Sequence, residues 1–151
     1  MIRKLDINDI DSYCNLRVAM LLSDKSVSYN KEELVLQTRE YYEDYINKTL
    51  FIFGYIENEE IVSVAAYEVL KRLPTPKINN LNSDIAYVCS IYTKEEYRNK
   101  GYSKLLLNEV IEDAKKRGLT RFKLSSHNEI AIKMYKKFGF KSDLTAMVKN
   151  D

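Results

Sequence analysis

Segments typical of strands alternate with segments typical of helices along the whole chain, with no linker or repeat between them. The helix-like segments place apolar residues three or four positions apart, whereas the strand-like segments are short apolar runs bounded by turn residues. An alternation of this kind favours a mixed α/β sheet covered by helices. A chain of 151 residues is expected to form one domain, here residues 1–151.

The apolar spacing predicts where each element lies. We predict strands over residues 2–5, 50–56, 60–70, 85–93 and 121–125, and one further strand or pair of strands over 140–148. The predicted helices cover residues 9–22, 31–48, 103–117 and 129–138. Residues 57–59 are expected to form a hairpin turn, and residues 73–82 a loop, because prolines and asparagines interrupt the periodicity there.

A short basic turn, residues 97–103, lies where the predicted strand 85–93 leads into the predicted helix 103–117. The first amides of a helix have no partner within it, and the helix dipole adds partial positive charge at that end. Gly101 would let the backbone approach an anion closely, and Arg98, Lys100 and Lys104 add formal charge. The turn is therefore a candidate pyrophosphate site. The alternative is an ordinary solvated surface turn.

A second segment, residues 125–140, has the pattern of a strand end, a capped helix and a Gly-Phe pair. Asn128 is a good helix N-cap, and Gly139 stands where glycine commonly ends a helix. One helical face is marked by Ala131, Met134, Tyr135 and Phe138. Purely structural roles, a cap for Asn128 and packing for Tyr135, are the alternative to a functional reading of this segment.

Taken together, the two segments resemble the GNAT superfamily of acyl-CoA-dependent N-acetyltransferases. Arg98, Gly101 and Ser103 match its Gln/Arg-x-x-Gly-x-Gly/Ala loop, although the family prefers Gly or Ala where Ser103 stands. The Asn-x-x-Ala-x-x-x-Tyr-x-x-x-Gly-Phe pattern is matched by Asn128, Ala131, Tyr135, Gly139 and Phe140. The resemblance covers residues 84–149 well, and the first half of the chain matches only in its order of elements.

The resemblance implies a twisted central sheet that splays between the strands ending at Thr93 and Ser125. It also implies transfer of an acetyl group from acetyl-CoA to a primary amine, by direct attack in a ternary complex. Tyr135 would be the general acid, since a phenol stays protonated below its pKa of about 10; packing is the alternative. The implied CoA-binding residues are Ile91, Tyr92, Thr93, Arg98, Asn99, Lys100, Gly101, Tyr102, Ser103, Lys104, Asn128 and Tyr135.

The sequence does not identify the general base or the acceptor substrate. Some relatives carry a glutamate five residues before the motif asparagine, where this chain has Lys123. The candidates that remain are Glu68, Asp84, Tyr87, Tyr92 and a water chain to solvent. The acceptor side carries many tyrosines (Tyr29, Tyr41, Tyr42, Tyr45 and Tyr67) and four acids (Glu40, Glu43, Asp44 and Glu68). One hypothesis is a pocket for a small cationic amine; the other is a tyrosine-rich core and surface.

Composition and charge favour some classes of partner over others. The 24 Lys and Arg and 22 Asp and Glu residues are interleaved, so we expect no nucleic-acid partner. A single histidine and no Cys-x-x-Cys pattern predict no metal site, and Cys14 and Cys89 are expected to be buried thiols. With no signal peptide and no long apolar run, we expect a cytoplasmic protein without a membrane partner. A non-catalytic acyl-CoA-binding module, a nucleic-acid-binding domain and a homodimer stay as alternatives.

Overall fold

The computed structural model describes residues 1–26, 28–75, 82–143 and 145–151. In these residues the chain forms five strands: β1 (Ile2–Lys4), β2 (Leu50–Glu57), β3 (Glu60–Leu70), β4 (Ile85–Thr93) and β5 (Arg121–Lys123). Its four α-helices are α1 (Ile10–Leu22), α2 (Lys31–Tyr45), α3 (Tyr102–Lys116) and α4 (Glu129–Lys137). Two short 3-10 turns, Ile7–Asp9 and Glu95–Tyr97, precede α1 and the basic turn.

The strands form one sheet in the order β1-β2-β3-β4-β5. The first four strands pair antiparallel, whereas β4 and β5 pair parallel over only three positions, from Ile85–Arg121 to Tyr87–Lys123. Beyond Tyr87, β4 continues to Thr93 beside β3 alone, so that its other edge opens into a cleft. The mixed α/β fold with a splay between the fourth and fifth strands is therefore confirmed.

Apolar residues on both faces of the sheet are buried. Successive side chains of a strand point to opposite faces, which explains why β2 sends Ile52 to one cluster and Phe51 and Phe53 to the other. The first cluster joins the sheet to α1 and α2, and the second joins it to α3 and α4. Two helix layers thus enclose the central strands, and the cleft between β4 and β5 runs between these layers.

Local sequence signals explain most of the boundaries. The Asn30 Oδ1 accepts a hydrogen bond from the Glu33 amide at 3.0 Å, and the Asn128 Oδ1 accepts one from the Ala131 amide at 3.0 Å. These two caps begin α2 and α4. Gly139 follows α4 with a φ of 95°, as expected of a residue that ends a helix in the left-handed conformation.

The predicted strand or pair over residues 140–148 is wrong for the residues that the structure describes there. Asp143 accepts hydrogen bonds from the Thr145 amide and hydroxyl at 2.9 and 2.7 Å, which turns the chain instead of extending it. Met147 and Val148 are 95% and 85% exposed, so no apolar face is available to hold a strand. Leu144 lies outside the described residues.

Three further expectations need correction. Helix α2 ends at Tyr45, because Ile46 turns to extended backbone and bridges to Leu50. Its predicted apolar face is only partly buried, since Leu36, Tyr41 and Tyr45 are exposed. Cys14 is a buried free thiol as predicted, but Cys89 is half-buried. Within the predicted loop 73–82, residues 76–81 lie outside the described residues.

Among the residues that the structure describes, no helix combines the length and the apolar composition that a membrane crossing requires.

Candidate active site

The basic turn folds back onto the end of β4. The Arg98 Nε donates a hydrogen bond to the Thr93 carbonyl at 3.0 Å, and the guanidinium carbon lies 5.8 Å from the centre of the Tyr92 ring. Asn99 and Gly101 have φ values of 65° and 80°, so the left-handed conformation occurs on both sides of Lys100. A Cβ added at Gly101 would meet nothing within 4 Å, so the space over the turn is open to a ligand.

Contacts with the β2–β3 hairpin fix the position of the turn. The Tyr102 hydroxyl donates to Glu57 at 2.6 Å, and its ring stacks on Tyr55 with centroids 3.8 Å apart. The Lys100 ammonium lies 3.8 Å from the same Glu57 carboxylate. One acid of the hairpin therefore holds the first residue of α3 and the preceding lysine together.

An open cavity of about 590 Å³ lies at the N-terminal end of α3. It is lined by Lys100, Gly101, Lys104, Leu105, Asn108, Lys137 and Phe138. Three lysines in this set, on the turn, on α3 and on α4, give the cavity a positive charge at the end of α3 where the helix dipole is also positive. The cavity therefore favours an anionic ligand.

Ser103 makes a hydrogen bond within the protein. Its hydroxyl lies 3.0 Å from the Thr93 hydroxyl, which lies 2.7 Å from the buried Ser63 hydroxyl. These three residues link α3, β4 and β3, so Ser103 ties the first turn of α3 to the sheet. The Ser63 hydroxyl also donates to the Tyr92 carbonyl at 3.1 Å. Arg98 binds the Thr93 carbonyl, so the carbonyls of Tyr92 and Thr93, two of the predicted CoA-binding residues, both have partners within the protein.

A β-bulge interrupts β4 in the stretch that pairs with β3 but not with β5. Val64 pairs with Tyr92 and Ala66 with Cys89, which leaves Ser90 and Ile91 opposite the single residue Ala65. Ser90 has a φ of 52°, unusual for a residue with a side chain. The bulge lies on the edge of β4 that β5 does not cover, so its backbone faces the cleft.

Tyr135 lies on α4 with its ring buried and only 8% exposed. The ring packs edge-on to Phe140, and it belongs to the apolar cluster against which Ile91 packs. Among the described residues, the Tyr135 hydroxyl has no hydrogen-bond partner, and it is not one of the fully buried oxygen atoms. Burial raises the pKa of this phenol, which keeps it protonated and able to donate.

Asn128 precedes Tyr135 by two helical turns and begins the same helix. Because its Oδ1 is engaged by the Ala131 amide, the side-chain Nδ2 group is the part left to contact a ligand.

A second cavity lies between α1, α2 and the β3–β4 strands and has a volume of about 420 Å³. It is called the acceptor cavity below because it includes residues that were predicted for the acceptor side. It is lined by Tyr13, Arg17, Leu34, Gln37, Thr38, Tyr41, Tyr42, Leu50, Glu68, Tyr87, Cys89 and Ser90. The Tyr41 hydroxyl donates to the Glu68 carboxylate, and the Cys89 sulfur lies 4.0 Å from that carboxylate. At the bulge, the Arg17 Nη1 donates to the Ser90 hydroxyl at 2.6 Å.

The structure places some predicted acceptor residues here and others elsewhere. Tyr41, Tyr42 and Glu68 line the cavity, but Tyr29, Tyr45, Glu40, Glu43 and Asp44 do not. Tyr67 lies on the opposite face of the sheet and donates to Asp113 at 2.6 Å.

The candidate general bases lie in different parts of the structure. Glu68 and Tyr87 line the acceptor cavity, whereas Asp84 is engaged by the Lys71 ammonium at 2.9 Å and the Arg72 amide at 3.1 Å. Tyr92 lines a different cleft, beside Glu60 and Lys94. Arg17 was not among the predicted site residues, although its position on the otherwise apolar face of α1 is the signal that could have identified it.

No cluster of three or more metal-binding side chains occurs in the described ranges. The arrangement thus consists of a cationic turn, a bulged strand edge, a buried phenol and a separate polar cavity.

Known proteins resemble this chain in sequence and in fold. The model of the acetyltransferase (GNAT) family matches residues 18–140. No curated protein matches the sequence. A predicted acetyltransferase of Clostridium acetobutylicum, solved with acetyl-CoA, is 25% identical with a TM-score of 0.82, over 99% of this chain and 95% of that one.

Two more distant structures share the fold. A ribosomal-protein-alanine N-acetyltransferase of Brucella melitensis biovar Abortus 2308 is 16% identical with a TM-score of 0.75, over 100% of this chain and 99% of that one. An aminoglycoside N-acetyltransferase, AAC(6')-Iy, solved in complex with CoA, is 14% identical with a TM-score of 0.74, over 100% and 93%. Because the family model covers most of the chain and the cleft has the geometry described above, this chain belongs to the GNAT family of acetyltransferases.

Proposed function

We propose that residues 1–151 act as one cytoplasmic N-acetyltransferase domain that transfers the acetyl group of acetyl-CoA to a primary amine by direct attack in a ternary complex. The observation that carries this proposal is the open, bulged edge of β4, which follows the pairing with β5, ends next to the cationic turn, and has Ile91 packed against the apolar cluster that contains the Tyr135 ring. The solved relatives that contain acetyl-CoA or CoA support the choice of cosubstrate.

In this proposal the pyrophosphate binds the turn formed by Arg98, Asn99, Lys100, Gly101, Tyr102, Ser103 and Lys104. The open space over Gly101 and the positive cavity at the start of α3 support this placement. The pantetheine arm extends along the uncovered edge of β4, where exposed backbone groups can pair with its amides as a neighbouring strand would. Because the carbonyls of Tyr92 and Thr93 are engaged, we assign the main backbone contacts to the bulge at Ile91, and a further contact to Asn128.

The reaction then follows from the chemistry of a thioester. The amine lone pair attacks the carbonyl carbon, the C–N bond forms, and the C–S bond breaks. An amide at the bulge can stabilise the oxyanion that develops, a contribution of about 3 kcal/mol when the donor is preorganised. The Tyr135 hydroxyl donates to the departing sulfur, and the proton lost by the amine leaves through the polar groups of the acceptor cavity or through water.

The experiment that tests this proposal is a calorimetric titration with acetyl-CoA, with desulfo-CoA and ATP as controls. The matched variants are Gly101→Asp and Gly101→Asn. Both side chains are similar in size and both tolerate the left-handed conformation, but only aspartate places a negative charge over the pyrophosphate.

We expect micromolar binding to the unmodified chain and a loss of at least about tenfold in Gly101→Asp beyond any loss in Gly101→Asn. Equal affinities in the two variants would remove the turn from the CoA site. If the unmodified chain does not bind acetyl-CoA, the proposal is wrong. If acetyl-CoA binds but no amine releases CoA, the chain is instead an acyl-CoA-binding module.

A further inference from the structure

The acceptor cavity contains two opposite charges that do not pair with each other. Arg17 and Glu68 both line it, and within the described residues neither takes part in an ion pair. Each is held by a neutral partner instead: Arg17 by the Ser90 hydroxyl, and Glu68 by the Tyr41 hydroxyl. A cavity with separated charges of both signs complements a ligand that is itself dipolar.

The two charged side chains contact different residues. Arg17 binds Ser90, which belongs to the bulge itself. Glu68 pairs in register with Tyr87, three residues before Ser90 on β4. The Glu68 carboxylate contacts Tyr41 of α2 and lies 4.0 Å from the sulfur of Cys89, the residue before the bulge. Since the proposed thioester site is at the bulge, the positive charge lies at the reacting end of the acceptor and the negative charge lies beside it, on the side of Tyr41.

This polarity argues against a simple diamine or polyamine. A cationic nitrogen brought to the bulge would meet the guanidinium of Arg17, and nothing in that ligand would compensate. An oxyanion next to the reacting nitrogen would pair with Arg17 and reverse that cost. The same positive charge lowers the pKa of a neighbouring amine and thereby favours the neutral, nucleophilic form.

The part of the cavity around Glu68 suits a cation. Tyr41 and Tyr87 present aromatic rings beside the Glu68 carboxylate, and ring faces and a carboxylate together attract an ammonium or guanidinium group. An acceptor that satisfies both ends carries a carboxylate beside the reacting amine and a second, remote cation.

We propose that the acceptor is a free basic amino acid that is acetylated on its α-amine. Its carboxylate binds Arg17, and its side-chain cation binds Glu68 and Tyr41. This assignment rests on the proposed acetyltransferase function and specifies its substrate class. Arg17 and Glu68 are the residues that determine specificity.

Three amines of nearly equal size test the proposal: lysine, cadaverine, which lacks the carboxylate, and norleucine, which lacks the remote cation. The measurement is kcat/KM from CoA release. We expect lysine to exceed each of the others by about 10- to 100-fold, because a charge-assisted contact is lost in each case.

Substitutions of Arg17 and Glu68 test which residue causes each substrate preference. Arg17→Gln should remove the preference for lysine over cadaverine, and Arg17→Lys should keep part of it. Glu68→Gln should remove the preference for lysine over norleucine. Arg39→Gln is the matched control, because Arg39 is engaged by Asp11 and does not line the cavity; it should preserve both preferences.

The outcomes separate the inference from the function on which it rests. Acetyl-CoA binding together with cadaverine turnover equal to or better than that of lysine would overturn the inference while the acetyltransferase function stands. A lysine preference that persists in Arg17→Gln would also overturn it. Failure to bind acetyl-CoA would remove both.

Discussion

Tyr135 combines a buried ring with a hydroxyl that has no hydrogen-bond partner in the part of the chain that the structure describes. Removal of that oxygen therefore leaves no other group unpaired, and the ring still fills its place. Tyr135→Phe should keep its stability and its affinity for acetyl-CoA. If the hydroxyl donates to the leaving sulfur, kcat should fall by roughly 100-fold, the lower range for a general acid.

The measurement pairs steady-state kinetics with calorimetric affinity and a thermal melt. Tyr45→Phe is the control, because Tyr45 is an exposed residue of α2 that does not line the acceptor cavity. A kcat in Tyr135→Phe equal to that of the control would limit Tyr135 to packing.

Among single residues, the sequence predicts those at positions where the backbone geometry accepts only a few residue types. Gly101 and Asn128 are such residues, because a left-handed turn and a helix cap restrict the residue types that fit. The partners of Ser103 and Arg17 could not be predicted in this way. Their hydrogen bonds reach the Thr93 and Ser90 hydroxyls across different elements, and such distances depend on the packed structure.

Two of the helices begin with an asparagine N-cap, so the same substitution can be made in both and its effects compared. Asn30 caps α2 and Asn128 caps α4, each through Oδ1 and a backbone amide at 3.0 Å. Replacement of either asparagine by alanine should lower the free energy of unfolding by about 1 kcal/mol. Only Asn128→Ala should also weaken acetyl-CoA binding, because α4 carries Tyr135 and borders the proposed CoA cleft.

Denaturant unfolding and calorimetry on the two variants separate these effects. An equal loss of acetyl-CoA affinity in Asn30→Ala would indicate a general loss of stability. Unchanged affinity in Asn128→Ala would reduce Asn128 to a cap.

The order and type of the elements followed from apolar spacing through α4, since strong periodicity and clear caps specify them locally. The expected strand or pair over 140–148 failed, because strand formation needs a partner edge and a face to bury. In the described part of that region, Asp143 turns the chain and Val148 stays exposed. The splay was expected only from the family resemblance, because it depends on pairing between distant strands, and the bulge at Ser90–Ile91 depends on such pairing as well.

On the scale of the whole molecule, Asp113 connects α3 to the edge strand β1 and to the central strand β3. From α3 its carboxylate accepts hydrogen bonds from Lys4 of β1 at 2.8 Å and from Tyr67 of β3 at 2.6 Å. Arg117 adds a third at 3.1 Å and places its guanidinium carbon 3.8 Å from the Phe51 ring centre. This network fastens α3 to three strands, on the face of the sheet opposite the acceptor cavity.

Burial alone would raise the pKa of Asp113, but hydrogen bonds from Lys4, Tyr67 and Arg117 outweigh it and hold that pKa below its ordinary value. A depressed carboxyl pKa contributes stability above the unfolded pKa of about 3.9, and that contribution is lost as the pH falls through the folded pKa. Asp113→Asn should therefore lower the free energy of unfolding at pH 7 by about 1 to 3 kcal/mol, and the deficit should shrink below about pH 4. Urea unfolding from pH 7 to pH 3 measures this, with Asp44→Asn on exposed α2 as the control. A deficit that is constant across this range would mean that the charge of Asp113 contributes nothing and that its network acts through packing alone.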